Sequence, residues 1–333
     1  IAADGSSICC NDQAVRHPMG NVIHQGLDEL MAAKEDNMPA RTCQGCDQRP
    51  ELTRGSPAAN VFALAARARL ALARRTKQPP APAIVGEPVY RFGAEDRYTV
   101  RVAAGIEDRR KAWELVYRVY LGKGYAQPNP DEMWYGIHDA LPDTTTLLVE
   151  QGGEPVAALT LVQDSPLGLP ADQLYGAELN ALRTRGRRVC EIISLASDEG
   201  NLRRGAEIMK NLFKLAYLEA TRLHGATDFL ITVNPRHVKF YERTLLLQEC
   251  GPERSYGKVG GAPAVLLGLN LETAEERYLE KYGDEAGSFY RFFVNRQTEP
   301  ALLGFIADNR RPLSEASLKR FFMEERPIIT GLP

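Results

Sequence analysis

Residues 188–243, RVCEIISLASDEGNLRRGAEIMKNLFKLAYLEATRLHGATDFLITVNPRHVKFYER, decide the fold. Val189 to Ala196 is apolar apart from Glu191 and Ser194 and reads as a buried strand. A polar loop from Ser197 to Gly205 carries Arg203 and Arg204. The helix predicted from Ala206 to Leu223 puts Met209, Phe213, Ala216 and Ala220 on one face, with Ile208, Leu212 and Leu215 beside them. A stripe that wide belongs against a sheet. Asp228 to Val233 is a second buried strand, and Asn234-Pro235 opens another helix with an N-cap and a proline at its first position. Strand, crossover helix and strand in this order predict two neighbouring parallel strands.

Outward from this stretch, Tyr98 to Ala103 alternates as a strand, and Glu107 to Tyr120 is a helix with Trp113, Val116, Tyr117 and Tyr120 on one face. Thr146 to Glu150 and Pro155 to Gln163 flank Gly152-Gly153 and read as a hairpin. Ala171 to Thr184 is helical. Between them, GKGYAQPNPDEMWYGIHDAL (Gly122 to Leu141) is too irregular for either period and too rich in large side chains for a plain linker. Its Trp134, Tyr135 and His138 either line a pocket or pack the loop onto the core.

The order strand, basic loop, helix, strand, then N-P-R-H-V-K-F-Y-E-R resembles the GNAT acyltransferase core. Five flanking strings sharpen it: Y-R-V-Y-L-G-K-G-Y (117–125), S-P-L-G-L-P (165–170), E-L-N-A-L-R (178–183), C-E-I-I-S-L-A (190–196) and G-G-A-P-A-V-L-L (260–267). As a set they resemble the long-chain N-acyl amino acid synthases, the FeeM-like branch of that fold, over roughly residues 96–271. The resemblance implies an α/β fold with a mixed twisted sheet flanked by helices. It implies transfer of a long-chain acyl group from acyl carrier protein or acyl-CoA to the α-amine of an amino acid, with no cofactor needed for the transfer itself. By position, residues 122–141 match the mobile flap over the substrate amine.

Glu191 is the candidate base. A carboxylate among apolar strand neighbours is costly unless paired, and such a site raises its pKa. A structural pair with Arg187, Arg188 or a core arginine is the alternative. Ser194 and Ser197 mark the strand end whose backbone N–H groups would polarise a thioester. Tyr241 stands where the resembled enzymes keep a tyrosine beside the departing sulfur, and Asn234 is grouped with the substrate-binding residues. Arg203, Arg204 and Gly205 at the helix start are the candidate phosphopantetheine site. S-D-E-G-N-L-R-R-G-A lacks the tight glycine spacing of most CoA-binding turns in the resembled fold, which weakens the case for CoA and is compatible with a carrier protein. Arg183, Arg185, Arg187 and Arg188 extend the basic neighbourhood, unless they are a solvated surface.

The whole chain has 333 residues, 44% hydrophobic, with net charge -2, so it supports a sizeable core and no general nucleic-acid affinity. With neither a membrane-length apolar run nor a secretory leader, a cytoplasmic location is expected. Opening on Ile1, it reads as a fragment or processed product. Cys9, Cys10, Cys43 and Cys46 crowd the first segment, with Cys43 and Cys46 in a C-x-x-C. This resembles a remnant of the SPASM auxiliary domain of radical SAM enzymes and implies a 4Fe-4S cluster or zinc, against a metal-free alternative. Four parts are expected: residues 1–50 as that segment, 51–95 as a basic helix and Pro-rich linker, 96–271 as the acyltransferase core, and 272–333 as a helical extension. The basic helix at 57–77 is either a peripheral membrane contact or a solvated connector. The extension's phenylalanines pack on the core, cover an acyl tunnel or form a homodimer surface. Two other functions are weighed: an acetyl-CoA-dependent N-acetyltransferase, and a non-catalytic binding module of a radical SAM enzyme.

Overall fold

The computed structural model describes residues 6–8, 18–21, 89–200 and 202–328. The four N-terminal cysteines, the basic helix at 57–77 and most of the linker lie outside the described residues. The chain divides into two compact units. One takes in residues 1–79, 136–142 and 313–333. Its described parts are the antiparallel pair β1 (Ser6–Ile8) and β2 (Pro18–Asn21), a single 3-10 turn at Ile137–Ala140, and a C-terminal helix that ends in a π turn at Arg320–Glu325.

The larger unit, residues 80–135 and 143–312, holds an open eight-stranded mixed sheet. In chain order its strands are β3 (Tyr90–Phe92), β4 (Tyr98–Val102), β5 (Thr145–Gln151), β6 (Glu154–Gln163), β7 (Val189–Ser197), β8 (Asp228–Val233), β9 (Gln248–Tyr256) and β10 (Ala262–Asn270). The spatial order is β3-β4-β5-β6-β7-β8-β10-β9, and only β7 and β8 are parallel. This is the mixed sheet that the sequence led us to expect, with the parallel pair where the crossover helix puts it.

Helices cover both faces, as a sheet buried on both sides requires. Helix α1 (Ile106–Gly122) lays Ala112, Leu115, Val116 and Val119 against Leu148, Ala158 and Ala196. On the opposite face α3 (Leu202–Leu218) packs Ile208, Leu212, Leu215 and Ala216 against Leu147, Val149, Leu159 and Leu161. Alternation along β5 explains the split: Leu148 faces one helix layer, Leu147 and Val149 the other. Helix α2 (Asp172–Thr184) precedes β7, and α4 (Pro235–Leu245) follows β8 with the Asn234 side chain accepting from Arg236 N at 3.2 Å.

Two helix boundaries differ from the sequence reading. Helix α3 begins at Leu202, so Arg203, Arg204 and Gly205 form its first turn, and its end widens into a π turn at Glu219–Leu223. Within the expected helical extension, residues 284–295 form only the short α6 (Phe289–Phe293), because Gly283 and Gly287 both take positive φ and Ser288 starts the turn by accepting from Arg291 N.

The C-terminal aromatics of this unit pack on the core. With α5 (Ala274–Tyr282) and α7 (Glu299–Asn309), α6 builds a cluster in which Phe293 stacks near Tyr278, Tyr217 and Phe289. Tyr278 and Tyr282 donate to the carbonyls of Leu245, Arg243 and Thr244, and Arg277 to that of Leu246. They satisfy carbonyls that the end of α4 leaves without helical partners. Among the described residues no helix is long and apolar enough to cross a membrane.

One contact ties β9 to the core. Tyr175, fully buried in α2, reaches the carbonyls of Ala264 (2.7 Å) and Pro252 (3.0 Å) beside a bulge between β9 and β10. A Cβ on Gly251 would stand 2.6 Å from the Tyr175 ring and 3.0 Å from Leu266. Gly251→Ala is therefore expected to cost about 1–3 kcal/mol through overpacking, read by urea unfolding; an unchanged midpoint would mean the ring can yield.

Candidate active site

The site arises where the sheet comes apart. The β7–β8 register runs from Val189↔Asp228 to Ile192↔Ile231 and stops there. On its other side β7 carries one residue more than β6 between Ala158↔Ala196 and Thr160↔Ile193. That extra residue is accommodated by a bulge, with Ser194 held at φ 49°. Beyond Ile192, then, the β8-facing edge of β7 has no strand partner among the described residues, and a cavity of about 430 Å³ opens in the fork. Residues 192–197 of β7 and 231–234 at the end of β8 form its walls, and Gly205, Ala206 and Met209 of α3 add to them.

Glu191 lies at this cavity, 1% exposed. Its carboxylate accepts from Ala171 N at 2.7 Å and from Thr232 Oγ1 at 3.4 Å. Among the described residues it has no ion pair: Arg187 is taken by Asp228 and Glu272, and Arg188 donates to the Gly225 carbonyl. Burial pushes the Glu191 carboxyl up to about 7; the Ala171 hydrogen bond, the Lys258 charge and Thr232 act against that rise, and the Asp172 charge adds to it. A carboxyl near neutrality is suited to taking a proton at physiological pH.

The Ala171 amide is held in place by a clamp. Arg183 donates from Nε and Nη2 to both oxygens of Asp164 (2.8 Å each) and from Nη1 and Nη2 to both oxygens of Asp172 (2.7 and 2.6 Å). Asp172 in turn accepts from Leu169 N at 2.6 Å. The loop 164–172, which carries S-P-L-G-L-P, is thus pinned at both ends by the arginine of E-L-N-A-L-R. Arg183 and Arg187 are therefore engaged inside the protein rather than extending an open basic surface.

Tyrosines line much of the remaining wall. Tyr241, buried, packs against Phe213 and Phe240. Burial raises its phenol well above the ordinary value, so it stays protonated and can donate. Burial likewise raises Tyr120 and Tyr256, the former helped by Tyr241 and Tyr125, the latter by Glu191. Of the flap aromatics, Trp134 lines the cavity, edge-on to Tyr120 at 5.2 Å. Tyr135 instead donates to Asp131 and packs on Trp113. His138 belongs to the other unit, in the 3-10 turn. Ser194, Ser197, Gly205 and Asn234 all reach the cavity, while Arg203 and Arg204 are exposed on the first turn of α3 and do not line it.

Sequence reasoning missed Tyr125, Tyr256, Lys258 and His237 as cavity residues. Three of them stand in or beside strings already quoted, and that adjacency was the available signal. Among the described residues no cluster of three or more His, Cys, Asp or Glu is placed to hold a metal.

Residues 111–270 match a family model described as N-acyl amino acid synthase FeeM. Among solved structures the chain is similar to FeeM, an N-acyl amino acid synthase from uncultured soil microbes, at 25% identity, covering 56% of this chain and 96% of that one with a TM-score of 0.49. It is also similar to the AHL synthase LasI at 18% identity, covering 52% and 90%, TM-score 0.37. An acyl-CoA N-acyltransferase from Pseudomonas aeruginosa matches at 15%, covering 51% and 97%, TM-score 0.36. No curated protein matches the chain.

The clamp makes a signed prediction. Arg183→Ala would free the loop that carries the Ala171 amide and leave the Asp172 charge uncompensated, and both changes disfavour the Glu191 carboxylate. Carbon-13 NMR titration of the Glu191 carboxyl should give a midpoint near 7 in the native protein and a higher one in the variant. An unmoved or lower midpoint would show that the clamp does not act on Glu191.

Proposed function

We propose that this acyltransferase, whose residues 111–270 match the N-acyl amino acid synthase FeeM family, moves a long-chain acyl group from an acyl thioester to the α-amine of an amino acid. The observation that carries the reading is Glu191: a buried carboxylate with no cationic partner, at the wall of a cavity framed by an open strand edge.

In this reading Glu191 accepts a proton from the acceptor's ammonium or attacking amine. Backbone N–H groups on the unpaired edge of β7, around Ser194 to Ser197, polarise the thioester carbonyl as negative charge develops on its oxygen. The amine nitrogen bonds to the carbonyl carbon, the C–S bond breaks, and the thiolate leaves with a hydrogen bond or proton from Tyr241. The products are an amide and a free thiol, and neither a covalent enzyme intermediate nor a cofactor is required. Ile192, Ile193, Leu195, Met209, Val259 and Phe240 give the cavity an apolar lining for the acyl chain.

For the donor, the start of α3 presents Gly205 to the cavity and Arg203-Arg204 to solvent beside it. The N–H groups of a first helical turn suit a phosphate, and the outward arginines suit an acidic carrier protein. Acyl carrier protein is accordingly the favoured donor and acyl-CoA the second. Trp134 and Asn234 belong to the substrate-binding wall.

Incubation with acyl-carrier protein or acyl-CoA of several chain lengths and a pool of amino acids, followed by mass spectrometry, should reveal N-acyl amino acids. Glu191→Gln should lower kcat/KM by about 10²–10⁴-fold, and Tyr241→Phe by less, because water can protonate a thiolate. Absence of an amide from any donor would refute the reading. Full activity of Glu191→Gln would remove the base assignment alone.

A further inference from the structure

At the cavity mouth four polar groups converge, and among the described residues none of them is in a salt bridge with an acid. Lys123 follows the end of α1 and lines the cavity, as do Tyr125 and His237. The Arg236 guanidinium lies over the Tyr125 ring, 5.3 Å from its centre. Arg236 Nε donates to His237 Nε2 at 3.1 Å, which leaves the imidazole proton on Nδ1 as a further donor. The Tyr125 hydroxyl is buried and has no hydrogen-bond partner among the described residues. A buried hydroxyl left in that state forfeits free energy until something binds it.

The cations also oppose one another. After burial, the Arg236 charge is the next cause lowering Lys123, and Arg236 and Lys123 together act in that direction on His237. The acid acting on Lys123 is Asp198, which already accepts from Arg118 Nη2 at 3.1 Å and Nε at 3.3 Å. Glu199, also on the cavity wall, accepts from Tyr98 at 2.9 Å. Lys123, Arg236 and His237 are exposed, yet they are gathered at the cavity beside a buried phenol hydroxyl instead of lying apart in water.

We infer that Lys123, Arg236, His237 and Tyr125 form an oxyanion subsite at the cavity mouth, built to hold the carboxylate or phosphate end-group of a substrate. Two chain segments far apart in sequence supply it: Y-R-V-Y-L-G-K-G-Y brings Lys123 and Tyr125, and N-P-R-H-V-K-F-Y-E-R brings Arg236 and His237. The same chemistry has two sources in acyl transfer, the carboxylate of an amino-acid acceptor and the phosphate of a phosphopantetheine arm. The choice of those two rests on the acyl-transfer reading above; the subsite itself is tested by binding and needs no turnover.

Calorimetric titration with two matched pairs separates the sources: pantetheine 4′-phosphate against pantetheine, and an N-acyl amino acid against its carboxamide. Native protein should prefer the charged member of one pair by tenfold or more. A Lys123→Met, Arg236→Met double variant should lose that preference while keeping its affinity for the uncharged member. Tyr125→Phe should weaken the charged member alone, which a folding defect would not do. Preference within the phosphate pair assigns the subsite to the donor, in place of the start of α3, and preference within the carboxylate pair assigns it to the acceptor. Equal binding of both members in both pairs, no binding of any of the four, or a preference that survives the double variant would overturn the inference. If the pairs behave as expected and no amide is ever formed, the subsite stands and the acyl-transfer reading falls.

Discussion

A carboxylate taken out of water without a counter-ion carries a penalty of several kcal/mol, and Glu191 bears it in the middle of an apolar strand. One backbone amide, one weakly placed threonine hydroxyl and a lysine acting at a distance offset part of that cost. The rest appears as a raised proton affinity. The surrounding architecture maintains this condition: Arg187 and Arg188, nearest in sequence, are drawn off by Asp228, Glu272 and the Gly225 carbonyl, and the Arg183 clamp fixes the amide that Glu191 accepts from.

The same strand that buries Glu191 also creates the space in front of it. The bulge at Ser194 and the end of β7–β8 pairing at Ile192 leave one strand edge without a ladder partner inside an otherwise continuous sheet. Unpaired backbone groups are expensive when buried and useful when aimed at a ligand. Their position beside a carboxyl near neutral pKa suits the two requirements of the proposed aminolysis, a deprotonated amine and a polarised carbonyl, in one fork. Helices α3 and α4 and the tyrosines Tyr120, Tyr241 and Tyr256 enclose it.

Much of this was legible in the chain. Apolar runs marked β7 and β8, the 3.6 period marked α3, the Asn234-Pro235 start signal marked α4, and a lone glutamate in an apolar run marked Glu191. Tyr241 came through family resemblance rather than pattern, since an aromatic in a short helix reads equally well as packing. Strand β9, QECGPERSY, escaped because an edge strand with solvent on it shows no apolar alternation, and Tyr256 was lost with it. The Arg183 clamp was invisible for another reason: its carboxylates sit 19 and 11 residues away, spacings that no local period encodes. The arginine-rich run read as open surface because sequence shows charge without showing partners. The flap aromatics divide for the same reason, Trp134 to the cavity and Tyr135 to the core, a difference set by loop path.

The most direct test of the central claim is the pH dependence of kcat/KM for amide formation. Glu191 must be deprotonated to act, and its folded pKa is raised, so activity should climb through an acidic limb with its midpoint near 7 and level off above it. The limb should vanish in Glu191→Gln, whose residual rate would follow only the acceptor amine. A limb at the ordinary carboxyl position near 4.5, or one that persists unchanged in the variant, would contradict a buried, unpaired Glu191 as the base.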